Sequence, residues 1–314
     1  MPPALPIAAD LAAQIPQPRV FLEGNPTLEL NDDPNYAPVI DAVHKTFIHL
    51  AHSDVAPYVI ASIQSRIKAQ ALDEGTTERR VLDAKVAVSN ITDFLRDSTP
   101  CIVLRDMTDG NPSVAALQWG TVLKGDKPTA EHNIIYIEKT LAMVLCANAT
   151  PPPDVQSPTF QRDSALVMLS VTVSHETIHA LNKYTFGAAL VTPKIGTFED
   201  DIDNGKSEAG FTFERDFYNY RLEAIWEQSK FADANTRMWH MKLMFKNPAV
   251  TSLIDSDVDE PEYLQFNPTT VSTFIASLST HRPMDIWAHR LTTYDFDDLS
   301  QASWLRFHSL GTAL

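Results

Sequence analysis

Val171-Thr172-Val173-Ser174-His175-Glu176-Thr177-Ile178-His179-Ala180-Leu181 decides how the rest of the chain is read. On an α-helix, two histidines four residues apart project from one face about one turn from each other. A single Zn2+ can take both imidazoles at roughly 2.0–2.1 Å. Glu176 directly follows the first histidine, close enough to reach a water on the same metal. Two neutral imidazoles beside a carboxylate base are what metal-assisted hydrolysis requires. The alternative is a coincidental pair of core histidines. The flanks favour the metal: Val171, Thr172 and Val173 before the motif, Thr177 and Ile178 inside it, and Ala180 and Leu181 after it carry no charge. A ligand helix beneath a metal must be buried.

The surrounding sequence predicts that helix. Ser157-Pro158 offers an N-cap and a proline at the first helical position. No Gly or Pro interrupts Phe160 to Asn182, and Ala165, Leu166, Leu169, Val173, Ile178 and Leu181 supply a broad apolar surface. Gly187 is a suitable stop. Val167, Val171 and Val173 locally favour strand, a preference that burial in a large core can override.

Catalytic zinc takes three protein ligands and keeps one position open. Downstream, Ser207-Glu208-Ala209-Gly210-Phe211-Thr212-Phe213-Glu214 opens a second helical pattern, expected to run to about Lys230. Glu208 is the preferred third ligand, because small Ala209 and Gly210 beside it would let this backbone approach the motif helix. The alternative for Glu208 is a carboxylate favoured at a helix N-terminus by the dipole. Glu214 lies six residues further on, about 120° around a straight helix, so both acids are not expected on one metal. Glu214 is expected to bond a neighbour instead, and its loss to leave zinc binding nearly intact.

The motif resembles the long zinc-metallopeptidase signature, with Thr172 in its Val/Thr position and Leu181 in its hydrophobic position. With Glu208 added, it is similar to the glutamate-liganded, thermolysin-like (gluzincin) branch of the zincins. The resemblance covers the motif, its flanks and the return helix, roughly a quarter of the chain. Two features depart from the pattern: the spacing from His179 to Glu208 is longer, and the later acid is Glu214 rather than Asp. The resemblance implies a helix-rich α+β, two-lobed zincin-like fold. A small mixed sheet would belong to the N-terminal lobe, and the C-terminal lobe would be mostly helical. It also implies one Zn2+ per chain on His175, His179 and Glu208, with Glu176 as general base and a peptide or small amide as substrate. In many zincins an edge strand of the upper sheet pairs with an extended substrate. Val114–Trp119 and Ile134–Ile137 are the candidates here.

Composition bounds these readings. At 314 residues and 35.0 kDa the chain can bury a large core. A net charge of -15 argues against nucleic acid or an anionic membrane as main partner. No stretch has the length and apolarity of a bilayer span. The N-terminus, Met1-Pro2-Pro3-Ala4-Leu5-Pro6, lacks the basic start of a signal peptide, so the default compartment is cytoplasmic. Cys101 and Cys146 are expected as free thiols.

Along the chain, 1–35 is a proline-rich arm, 36–186 an N-terminal lobe ending in the metal-binding helix, and 187–314 the C-terminal lobe supplying the third ligand. Helical patterns cover Ala37–Ser53, Tyr58–Leu72, Thr77–Leu95 and Lys139–Asn148. Short strands are expected at Cys101–Arg105, Val114–Leu123 and Asn133–Glu138. Acidic runs at Glu199–Asp203, Asp255–Glu260 and Asp295–Asp298 read as solvated loops. The second run lacks the Gly and Glu of a calcium loop at the required positions. The aromatics Phe211, Phe213, Phe217, Tyr218, Tyr220 and Trp226 read as core. Oxyanion stabilisation would need a further donor, for which Tyr184, Tyr218, Tyr220, His281 and His289 are candidates. Two other functions fit the sequence: a zinc hydrolase of a non-peptide small molecule, and an interaction protein with a structural metal.

Overall fold

The computed structural model describes residues 14–24, 27–107, 120–122, 133–187, 208–218, 221–227, 236–246, 263–280, 292–293 and 304–308. The protein is helix-rich α+β. Strands β1 (Val20–Leu22) and β2 (Leu28–Glu29) precede helices α1 (Ala37–His52), α2 (Ala56–Asp73), α3 (Arg79–Asp83) and α4 (Asn90–Asp97). Strands β3 (Cys101–Arg105), β4 (Gly120–Val122) and β5 (Ile134–Glu138) follow, then α5 (Lys139–Leu145) and the long α6 (Pro158–Phe186). The first five strands form one mixed sheet in the order β2-β1-β3-β5-β4. Its three central strands are parallel, and β2 and β4 run antiparallel at the two ends.

Part of the proline-rich arm is therefore a sheet strand, with Val20 paired to Ile102 and fully buried. Ile134–Ile137 is an interior strand between β3 and β4, not an edge. Among the described residues the terminal strand on that side is β4, and Val114–Trp119 lies outside them. The helical pattern expected over Thr77–Leu95 breaks into α3 and α4. Lys68 Nζ donates to the carbonyls of Leu82 (3.0 Å) and Ala84 (2.6 Å), satisfying the end of α3. Asn90 then donates to Lys85 O at 2.9 Å and to Gln64 Oε1 at 3.1 Å, fixing the turn into α4.

Helix α6 is packed by α1, α5, β4 and β5 and by elements after it in the chain. Ala165, Val167, Leu169, Val173, Ile178, Ala180 and Leu181 are fully buried on it. A helix apolar on most sides belongs inside a core, and this burial outweighs the strand preference of its valines. It begins at Pro158 and stops at Gly187, whose φ of 99° closes the last turn with an N–H bond to Lys183 O. Arg80 also donates to Tyr184 O at 2.5 Å there.

Past α6, helix α7 (Ala209–Tyr218) ends well short of Lys230. Arg221–Glu227 is strand β6. Its alternating Leu222 and Ala224 are buried, a period of two that the apolar run around it obscures. It joins β7 (Lys242–Lys246), β8 (Tyr263–Gln265), β9 (Thr292–Thr293) and β10 (Trp304–His308) in an antiparallel sheet ordered β10-β6-β7-β8-β9. The other helix of this part is α8 (Pro268–Thr280), packed on α6. Among the described residues this part holds a five-stranded sheet and two α-helices. Short strands of mixed polarity carry a much weaker period than a helix of the same length. The acidic runs lie outside the described residues. Cys101 and Cys146 are both free thiols. No helix is long and apolar enough to cross a membrane among the described residues.

Candidate metal centre

His175 and His179 project from consecutive turns of α6, and their Nε2 atoms stand 3.3 Å apart. Glu208 immediately precedes α7 and reaches back to both. Its Oε1 is 2.8 Å from His175 Nε2, and its Oε2 contacts His179 Nε2. Oε1 also accepts the Phe211 N–H at 3.1 Å, so Glu208 caps α7 while facing the histidines. The N-terminal-turn and ligand expectations for Glu208 are therefore compatible. One donor atom from each of His175, His179 and Glu208 falls within 4.8 Å of the others, a cluster able to hold a metal ion.

Glu214 completes the arrangement from behind. Its Oε1 lies 2.6 Å from His175 Nδ1, and its Oε2 accepts the Leu222 N–H at 3.3 Å. A carboxylate on Nδ1 favours the neutral tautomer whose Nε2 lone pair faces the cluster and could take a metal. The neighbour expected for Glu214 is thus His175 itself. Gly210 explains how α7 comes so near: a Cβ there would overlap Cδ2, Nε2 and Cε1 of the His175 ring. Phe211 presents an edge-to-face ring at 4.9 Å from the same imidazole.

These groups are largely withdrawn from solvent. His175, Glu176, Glu208 and Glu214 are all buried. Burial opposes a charge on His175, but the carboxylates of Glu208 and Glu214 outweigh it and hold the imidazole well above its ordinary range. Burial likewise opposes ionisation of Glu208, and the two imidazoles outweigh it, holding that carboxyl well below its usual range. For Glu176 burial wins. Its carboxyl is raised despite partial compensation by His175 and His179. A nitrogen and oxygen donor set with buried, carboxylate-braced imidazoles fits zinc.

Of the oxyanion candidates, Tyr184 is half-exposed near the end of α6 and packs on Phe94 at 5.1 Å. Tyr218 is buried, its hydroxyl shares a 3.2 Å hydrogen bond with Ser174 Oγ, and burial pushes its pKa up, making the phenol harder to ionise. That hydroxyl is engaged in the interior. Tyr220, His281 and His289 lie outside the described residues. Phe211, Phe213, Phe217 and Tyr218 are buried as core, as expected.

Sequence reading missed two contacts with the Glu176 neighbourhood. Gly120 of β4 lies against Glu176 and Thr172. Lys183, two turns beyond Glu176, donates to Val122 O at 2.8 Å and so ties the same strand to α6. A lone glycine in a strand pattern signals close backbone approach, but nothing in sequence says to what.

No protein-family model, curated protein or solved structure matches this chain.

Proposed function

We propose that the protein is a zinc-dependent hydrolase of the gluzincin kind that cleaves a peptide or small amide bond. The observation that carries this reading is the convergence of His175, His179 and Glu208 around one point with buried Glu176 beside it. His175 Nε2, His179 Nε2 and a Glu208 oxygen would hold one zinc ion. When bound, zinc acidifies a water toward a pKa of about 7 and polarises the scissile carbonyl. Three protein ligands leave a position for that water, whereas a structural site is closed by four.

Glu176 is the proton carrier. Burial raises its carboxyl, which makes the carboxylate a stronger base toward the water's proton, and the protonated group can return that proton to the leaving amine. Glu214 keeps His175 oriented throughout by accepting its Nδ1–H. An extended substrate backbone is favoured by β4, which ends the first sheet above α6 and has no strand on its outer side among the described residues.

The test is elemental analysis of purified protein followed by digestion of a peptide library with and without chelator. About one zinc per chain and chelator-sensitive cleavage are expected. Absence of zinc after titration would overturn the metal centre. A zinc-loaded protein that leaves every peptide intact would overturn the peptidase reading.

A further inference from the structure

We propose that Gly120 is a positioning residue for Glu176: the bare backbone of β4 at this point holds the carboxylate where it works. A Cβ on Gly120 would lie 2.8 Å from Glu176 Cγ, 3.2 Å from Glu176 Oε1 and 2.9 Å from Thr172 Cγ2. Real Cβ atoms essentially never approach other atoms to 2.8 Å. None of these groups yields easily. Glu176 Cγ is near the helix backbone, and Thr172 is β-branched and stiff in χ1.

The strand cannot retreat either. Gly120 pairs with Ile137, and Val122 with Ile135, across the β4–β5 ladder. On the other side Lys183 Nζ holds Val122 O at 2.8 Å. Gly120 and Val122 are both buried. The strand is therefore fixed between β5 and α6, and the Glu176 side chain is confined beneath a surface with no side chain. A carboxylate that must shuttle one proton gains from such confinement, because misplacement by about 1 Å can cost a factor of roughly 100 in rate.

This inference rests on Glu176 being the general base, so its test has a part that needs no hydrolysis. Thermal denaturation of wild type, Gly120→Ala, Glu176→Ala and the double variant measures the contact directly. Gly120→Ala should lower Tm by several degrees through overpacking, and about half of that drop should vanish when Glu176→Ala removes Cγ and the carboxylate. Should Gly120→Ala alone fail to fold, the double variant should regain a cooperative melt. An equal penalty in both backgrounds, or no recovery, overturns the proposal.

In the zinc-loaded protein, Gly120→Ala should keep its metal and its KM within a few-fold while kcat falls about 100-fold. An unchanged kcat also overturns it. Wild type that cleaves nothing would remove the proposed function alone, and the denaturation cycle would still decide whether Gly120 holds Glu176.

Discussion

Glu214 Oε1 lies 2.6 Å from His175 Nδ1 while Glu208 Oε1 lies 2.8 Å from His175 Nε2, so one buried imidazole is held by a carboxylate at each nitrogen. Both acids come from one segment, six residues apart. On a straight helix they would diverge. They meet on one ring because Glu208 precedes α7 as its cap and reaches back, while Glu214 extends from within α7 to the far side of the ring.

That geometry changes what Glu214 is expected to do. From the sequence alone, its loss is expected to leave zinc binding nearly intact. A partner that orients a metal-binding histidine is generally worth about 10- to 100-fold in metal affinity. Glu214→Gln should therefore weaken zinc by roughly that factor, and Glu208→Ala, which deletes a proposed ligand, by more. Competition with a chromophoric chelator measures both. Equal affinity of Glu214→Gln and wild type would show that the contact does not support the metal.

Gly210→Ala probes the same ring from its side. The added methyl would overlap the His175 imidazole, so either the ring or α7 must move. Zinc affinity should drop by about tenfold or more. It should drop much less when His175→Ala has already emptied the space, the non-additivity expected of residues in contact. Additive losses in the two backgrounds would disprove the close approach.

Much of this was legible from residues and some was not. The helix starting at Pro158 and stopping at Gly187, the shared face of His175 and His179 and the approach of Glu208 to them are legible in helical periodicity, Pro and Gly boundaries and small neighbours, which are local signals. Glu214 was not assigned to His175 because that pairing depends on where α7 docks. Arg221–Glu227 reads as helix in sequence because Phe217, Tyr218, Leu222 and Trp226 also fit a helical period, and the buried alternation of Leu222 and Ala224 emerges only in the sheet. Gly120 and Lys183 acquire meaning only from the packing of β4 on α6.

The metal centre should also be linked to protons. In the metal-free protein the flanking carboxylates of Glu208 and Glu214 hold His175 well above its ordinary range, so its imidazole keeps a proton at neutral pH. Zinc must displace that proton to reach Nε2 or to use a neutral ring. Raising the pH removes the competitor, so affinity should rise toward alkaline pH, up to about tenfold per unit for one displaced proton. Glu208, held well below its usual range, is already ionised and should add no further dependence. Calorimetric titrations in buffers of different ionisation enthalpy count the released protons directly. Zinc uptake at pH 7 with no proton release would contradict this electrostatic picture.

Glu176→Gln separates holding the metal from using it. The amide matches the carboxylate in size and should sit beneath Gly120 as Glu176 does, but it cannot take a proton from water. His175, His179 and Glu208 are untouched, so zinc content and fold should match wild type. Replacing a buried, raised carboxyl by a neutral amide should if anything favour folding slightly, since no charge is left to desolvate. Hydrolysis should fall by about 100- to 10,000-fold, the usual contribution of a general acid–base group. The loss belongs in kcat, because the group acts on a proton in transfer rather than on bound substrate. A pooled peptide library digested by both proteins, with zinc measured in each, gives the answer. Equal cleavage by wild type and Glu176→Gln would remove Glu176 from the chemistry and, with it, the reason for its burial beside three metal donors.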